Sequence, residues 1–248
     1  MSVLYILWLR QLKRYFRSKA RMIGSLGQPL LFLLALGFGF GPICEKAGGG
    51  NYIDFLAPGI IVMSVLFTSI FTGLEIIWDK QFGFLKETLV APVSRFKIML
   101  GRTLGGATVA TLQGVIVFLM SLCVGFRPEN WLMLPVAIFC MFMIALVFTA
   151  LGTAIASMLD DMQGFQLIMN FLVMPLFFLS GALFPLAGLP PAINIVAALD
   201  PLSYGVDAIR GTLTGMYHFG LATDLAVLIG VALLFLSVGS YLFKKIQI

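Results

Sequence analysis

Glu75 and Asp79 stand four residues apart at the end of an apolar run, one turn of a helix. Two carboxylates so placed at membrane depth suit binding of a cation or a proton, the chemistry of an ion-coupled carrier or channel. The simpler expectation is that they meet Arg102 or interfacial water. Other reactive side chains are few. The one histidine, His218, falls between the last two apolar runs, Ser180–Gly181 lacks the glycine two before serine of a rhomboid-like protease, and Asp160–Asp161 lacks the further aspartates of a CDP-alcohol phospholipid synthase. Cys44 and Cys123 lie near the outer ends of their helices and are able to pair, Cys140 lies inside a span, and the spacing fits no metal motif, so free, buried thiols are expected. No catalytic or metal site is predicted. The chain also lacks G-x-x-x-x-G-K-[ST] and any Gly-Lys dipeptide, so it has no P-loop to cradle nucleotide phosphates.

The elements that hold these residues are membrane helices. With 60% hydrophobic residues, 11% charged and a mean hydropathy of +1.04, the composition lies far from that of soluble domains, which are roughly 25% charged. Spans need roughly 20 apolar residues each. Six charge-free windows qualify: Met22–Cys44, Phe55–Leu74, Thr103–Phe126, Asn130–Leu159, Met162–Leu199 and Leu225–Phe243. The fifth is overlong, but Pro185, Pro190 and Pro191 interrupt it and leave only a short apolar tail. The expected fold is therefore all-α, one membrane domain over residues 1–248 with no linker or second domain.

Six spans put both termini on one side. With the termini inside, thirteen Lys and Arg residues face the cytoplasm and only Lys46, Arg127 and Arg210 face out, a bias that fixes orientation by the positive-inside rule. The net charge of +5 then reflects topology and anionic lipid, and nucleic acid is not an expected partner. Residues 1–21 are not read as a cleaved signal, because their basic residues follow an apolar start. Leu4, Tyr5, Trp8, Leu9, Leu12, Tyr15 and Phe16 recur at helical spacing opposite Arg10, Lys13, Arg14, Arg17 and Arg21. That pattern predicts an amphipathic helix in the inner interface, either a topology anchor or a partner-docking element.

The 79–102 loop holds seven of the 27 charged side chains in 24 residues. Phe82, Phe84, Leu85, Leu89 and Val90 are interleaved with Lys80, Lys86 and Glu87, and Pro92 closes a run that fits a two-turn helix. Gly83 to Arg95 reads GFLKETLVAPVSR and resembles the GTLERLLVTPVSR loop of permease subunits of type-2 ATP-binding-cassette exporters, the bacterial drug, antibiotic, lipid and polysaccharide export permeases. Gly83, Leu85, Leu89, Val90, Pro92, Val93, Ser94 and Arg95 carry the match, while Lys86 and Glu87 reverse the usual charge order and Phe84 and Thr88 depart from it. Asp200, Pro201, Leu202, Ser203 and Tyr204, followed by Asp207, Ala208 and Arg210, resemble the same family's element after the fifth helix.

The resemblance implies a bacterial inner-membrane exporter subunit that acts as a pair of identical copies with two separately encoded ATPase subunits, which bind the ATP and Mg. It implies a coupling helix over Gln81–Ala91, for which Phe82, Gly83, Phe84, Leu85, Lys86, Glu87, Leu89, Pro92 and Ser94 are the candidate contact residues. Phe82, Phe84, Leu85 and Glu87 are expected to enter a groove on the ATPase. It also implies an outer re-entrant hairpin within 185–223, which accounts for the overlong fifth window. Asp207 and Arg210, three apart on a helix, are expected to pair with each other, with substrate contact as the alternative. Gln113, Gln166 and Asn170 are the pathway candidates among the polar residues inside spans, with Pro175 placed to kink the helix beside Asn170; hydrogen-bonded glue between helices is the default role of such residues. Gly101 and Gly105, and Gly152 with Ala156, form small-residue pairs suited to close packing within or between subunits. The substrate implied is an amphipathic drug-like or lipid-like molecule, and no residue selects among these.

Overall fold

A computed structural model describes residues 3–46, 52–84, 93–186 and 190–244, the side chains of Arg21, Cys44, Glu45, Lys46 and Lys244 excepted. The described residues form only helices: α1 (Val3–Arg17), α2 (Lys19–Lys46), α3 (Tyr52–Phe71), α4 (Leu74–Gln81), α5 (Arg95–Val124), α6 (Leu134–Met158), α7 (Met162–Leu179), α8 (Pro191–Leu199), α9 (Pro201–Thr214) and α10 (Leu221–Lys244), with a 3₁₀ turn at Trp131–Met133. Among the described residues six segments are long and apolar enough to cross a membrane: Met22–Ile43, Tyr52–Gln81, Arg95–Val124, Trp131–Met158, Met162–Leu179 and Leu221–Phe243. The chain is an all-α, multi-pass membrane protein.

The spans divide by burial. The α3–α4 span is 72% buried, α5 and α6 half buried, and α2, α7 and α10 about a fifth or less. The middle of the bundle is thus α3, flanked by α5 and α6, and the three outer helices carry apolar side chains such as Leu31, Phe171 and Leu233 on exposed faces. In water such faces would be a liability; in lipid they are the expected surface.

Span ends differ from the charge-free windows in one direction. Helix α4 carries Glu75 and Asp79 and runs to Gln81, and α5 starts at Arg95 and carries Arg102. A window that stops at every charge is too short wherever opposite charges neutralise one another across helices, as Asp79 and Arg102 do here.

Two glycine contacts set the helix spacing. A methyl group on Gly73, at the break between α3 and α4, would lie 2.5 Å from the Gly152 carbonyl oxygen, and one on Gly152 would lie 2.7 Å from that of Ile70. Main chain therefore meets main chain between α3–α4 and α6. Gly101 and Gly105 instead receive α1, with Leu7 and Gln11 side chains where their Cβ atoms would stand. Both small-residue pairs serve packing within one copy of the chain.

That second contact corrects the expected orientation of α1. The helix packs through Leu4, Leu7, Trp8, Gln11 and Tyr15, while Tyr5, Ile6 and Phe16 are exposed, so the inward stripe is turned from the one read off hydropathy. The cause is specific partnering: Trp8 Nε1 donates to Thr108 Oγ1 at 3.0 Å and the Tyr15 hydroxyl to Gln113 Oε1 at 2.5 Å. The helix ends at Arg17, short of the expected residue 21.

Candidate coupling face and pathway groove

At the end of α4, Asp79 is buried and its carboxylate is shared. Arg102 Nη2 of α5 donates to Oδ2 at 2.6 Å, and Arg10 Nη2 of α1 to Oδ1 at 3.2 Å. Arg14 lies 3.6 Å from Glu75 and 3.9 Å from Asp79, and its guanidinium lies over the Trp78 ring at 5.6 Å. The expected Arg102 partnership is present. Arg10 and Arg14 extend it, and the spacing held a signal for them: basic residues four apart on α1 match acidic residues four apart on α4. As an ion-coupling site the pair is spent, because arginines already neutralise it.

The next residues are held from the other side. Lys80 Nζ donates to the carbonyls of Ser157 at 2.9 Å and Leu159 at 3.0 Å and pairs with Asp160 at 3.1 Å. These are the carbonyls left open where α6 ends, so one cation closes the helix terminus. Gln81 Nε2 donates to the Asp160 carbonyl at 3.0 Å. Asp161 is a helix cap, accepting from the backbone N–H of Gln163 and Gly164 at 3.2 and 2.7 Å. The chain thus leaves α4 clamped to α1, α5 and the α6–α7 turn.

Beyond the clamp, Phe82 is 70% and Phe84 52% exposed, and Gly83 between them has φ +79°, a conformation open to glycine. Ser94 occupies the N-cap of α5 without a side-chain cap bond. Leu85, Lys86, Glu87, Leu89 and Pro92, and with them most of the expected coupling helix, lie outside the described residues.

A cavity of about 690 Å³ lies between α1–α2, α3–α4 and α7. Ser64, Thr68, Thr72 and Glu75 line it from α3–α4, Gln28 from α2 and Gln166 from α7. These polar groups alternate with Phe67, Phe71, Trp78 and Met162, a mixture suited to an amphipathic guest. The three pathway candidates separate here. Gln166 lines the cavity; Asn170, four residues further on the same face of α7, is exposed beside it; Gln113 is fully buried and does not line it. Gln113 has the default, structural role, since its amide oxygen receives the Tyr15 hydroxyl and joins α1 to α5. Helix α7 runs through Pro175 as one element.

At the other end, α8 and α9 meet at 87°. Asp200 caps α9 by accepting from Leu202 N–H at 2.8 Å, with Pro201 in the first turn. The Tyr204 hydroxyl reaches back to the Ala198 carbonyl at 2.9 Å and its ring packs on Phe219 at 4.7 Å. Asp207 and Arg210 do not pair, which corrects the sequence expectation. Asp207 accepts from the backbone N–H groups of His218 and Phe219 at 2.7 Å each and of Gly220 at 3.3 Å. Arg210 donates to the Gly181 carbonyl at 2.9 Å, with the Phe55 carbonyl at 3.4 Å, and stacks over the Phe55 ring at 4.0 Å. Each charge serves a different stretch of irregular backbone, which at this depth has few other partners. Cys123 and Cys140 are free thiols, the first exposed and the second buried.

A six-span helical protein with a charge-clamped loop at one end, a helical bend at the other and an amphipathic cavity between them is a membrane permease subunit. The chain belongs to the ABC-2 type transporter family, which it matches over residues 2–214. It is 30% identical over 214 residues to the putative transport permease ycf38 of Cyanophora paradoxa, covering 84% of this chain and 72% of that one. It is 29% identical over 198 residues to nodulation protein J of Rhizobium leguminosarum bv. viciae, covering 79% and 76%. Nodulation protein J of Sinorhizobium fredii is 27% identical over 227 residues, covering 89% and 85%. Family membership removes the ground for the ion-coupled carrier and implies an ABC ATPase as partner.

Proposed function

We propose that this chain is the membrane half of an ATP-driven exporter in the bacterial inner membrane, working as two identical copies with two ATPase subunits that hold the ATP and Mg. Both termini and the 79–102 loop face the cytoplasm. The observation that carries the reading is the clamp on α4. A push by an ATPase on Phe82, Phe84 and the residues that follow them passes through Asp79 and Lys80 to α1, α5 and α6 together, so nucleotide-driven closure has a stiff element to bias. The cavity beside Glu75 and Gln166 receives an amphipathic, drug-like or lipid-like substrate. Asn170, exposed on the helix that lines the cavity, extends the polar track toward the second copy, because an amide facing lipid alone would be unsatisfied. The α8–α9 bend forms a re-entrant outer cap.

The test is reconstitution of the permease with its ATPase in vesicles, using a panel of lipids and hydrophobic drugs. Phe82→Ala with Phe84→Ala is expected to leave the permease inserted and the ATPase bound more weakly, with transport per ATP lost. Coupled transport at the unaltered rate in that variant overturns the coupling assignment; Gln166→Ala with unchanged transport of every substrate overturns the pathway assignment.

A further inference from the structure

A second cavity, about 840 Å³, lies on the side of α1 that faces away from α5. The packed stripe of α1 uses Leu4, Leu7, Trp8, Gln11 and Tyr15, which leaves Arg10, Lys13, Arg14 and Arg17 to line this cavity opposite Trp78, Asp79, Phe82 and Phe84. The charges do not balance. Arg10, Arg14, Arg102, Lys13 and Arg17 bring five positive charges and Glu75 and Asp79 two negative ones, 5 − 2 = +3. The carboxylates take Arg10, Arg14 and Arg102. Lys13 and Arg17, one turn apart and exposed, have no carboxylate within 4.0 Å among the described residues. Beside these two cations the wall is apolar: Tyr5 and Ile6 are 45% and 51% exposed, and Trp78 44%.

We propose that this cavity is a site for one anionic phospholipid of the inner leaflet, its phosphate held between Lys13 and Arg17 and its apolar body laid along Tyr5, Ile6 and Trp78. Unpaired cations beside exposed aromatic and aliphatic side chains at the end of a span match a molecule that is anionic at one end and apolar at the other. An acidic protein surface would satisfy the cations and leave the apolar wall uncovered. The location gives the lipid a task. The same cavity is walled by Asp79 and by Phe82 and Phe84, so a bound lipid braces α1 against the start of the 79–102 loop, and its loss loosens the element on which an ATPase is proposed to push. The inner-leaflet assignment rests on the orientation given under the proposed function.

The experiment uses the full chain purified in mild detergent, with phosphatidylglycerol and phosphatidylcholine as probes and native mass spectrometry to count bound lipid. Phosphatidylglycerol is expected to bind at one per chain in preference to phosphatidylcholine. Lys13→Gln with Arg17→Gln is expected to weaken it roughly 30-fold, the effect of two cations at an anionic surface, with an unchanged melting temperature because neither residue has a carboxylate partner among the described residues. Lys19→Gln with Lys97→Gln removes the same charge from exposed positions outside the cavity and is expected to retain the lipid. Equal loss in both double variants would mean diffuse surface attraction and overturns the site. So does full retention in the first, or displacement of the lipid by millimolar inorganic phosphate, which would mark a simple anion site. Normal lipid binding with loss of ATPase copurification in the first variant would assign the cations to protein docking. Lipid counting needs neither ATPase nor orientation, so those readings are tested apart by labelling Phe82→Cys from each side of sealed vesicles.

Discussion

The two ends of the molecule both bury charge, and they satisfy it in opposite ways. At the α4 end, Asp79 meets Arg102 and Arg10 side chain to side chain, across three helices. At the α8–α9 end, Asp207 and Arg210 form no salt bridge with each other and bind main-chain groups of 218–220 and of Gly181. The first arrangement joins regular helices to one another. The second supplies partners for irregular backbone that cannot supply its own. A mutual lock can be removed as a pair, because each member neutralises the other, whereas a charge bound to backbone dipoles leaves those dipoles unmet whichever other charge goes with it.

The largest effect is expected from breaking the lock on one side. Asp79→Ala leaves Arg102, itself buried, without its carboxylate and should cost about 3–5 kcal/mol, seen as loss of monodisperse protein in thermal size-exclusion assays. Asp79→Leu with Arg102→Leu removes both buried charges and leaves Arg10, 42% exposed, free to reach solvent, so it should recover a substantial part of that loss. Asp207→Leu with Arg210→Leu should cost the sum of its two single variants, and recovery there would erase the contrast between the ends.

Next in size is Arg210→Ala, at about 2–3 kcal/mol from charged hydrogen bonds and ring stacking, with Arg210→Lys restoring part of it. Folded, abundant and transport-dead Arg210→Ala protein would instead place Arg210 on the substrate path. Gly73→Ala should cost about 1–3 kcal/mol because its methyl meets main chain, and Gly105→Ala a similar amount, its methyl lying 2.7 and 2.8 Å from Gln11 Cγ and Cβ, which move only with α1. The smallest expected change is Tyr15→Phe, about 1 kcal/mol for one hydrogen bond to Gln113; comparison of melting temperatures orders all four.

Much of this architecture is legible in the residues, for physical reasons. Span number follows from hydropathy because lipid imposes a length, and the roles of Gly101 and Gly105 follow from size. What escaped is rotational and relational. The stripe of α1 that packs is chosen by Thr108 and Gln113, about a hundred residues away, and hydropathy carries no record of that choice. Gln113 looked like a pathway residue for the same reason, since a buried amide bonded across helices and one facing a cavity have the same spelling. Asp207 and Arg210 have the spacing of an ion pair, and only the proximity of the 218–220 turn and of Gly181 shows where their charge is needed. The expected coupling contacts from Leu85 to Pro92 fall outside the described residues, so that part of the reading rests on Phe82, Gly83, Phe84 and Ser94 alone.

The docking of α1 on the glycine face of α5 also bears on how the protein is made. Trp8 and Tyr15 find their partners 100 and 98 residues further along the chain, so α1 leaves the ribosome well before the helix that seats it. Until α4 and α5 follow, the bilayer surface is its main support. The basic residues of that helix then hold a nascent segment at the membrane before they serve any finished one.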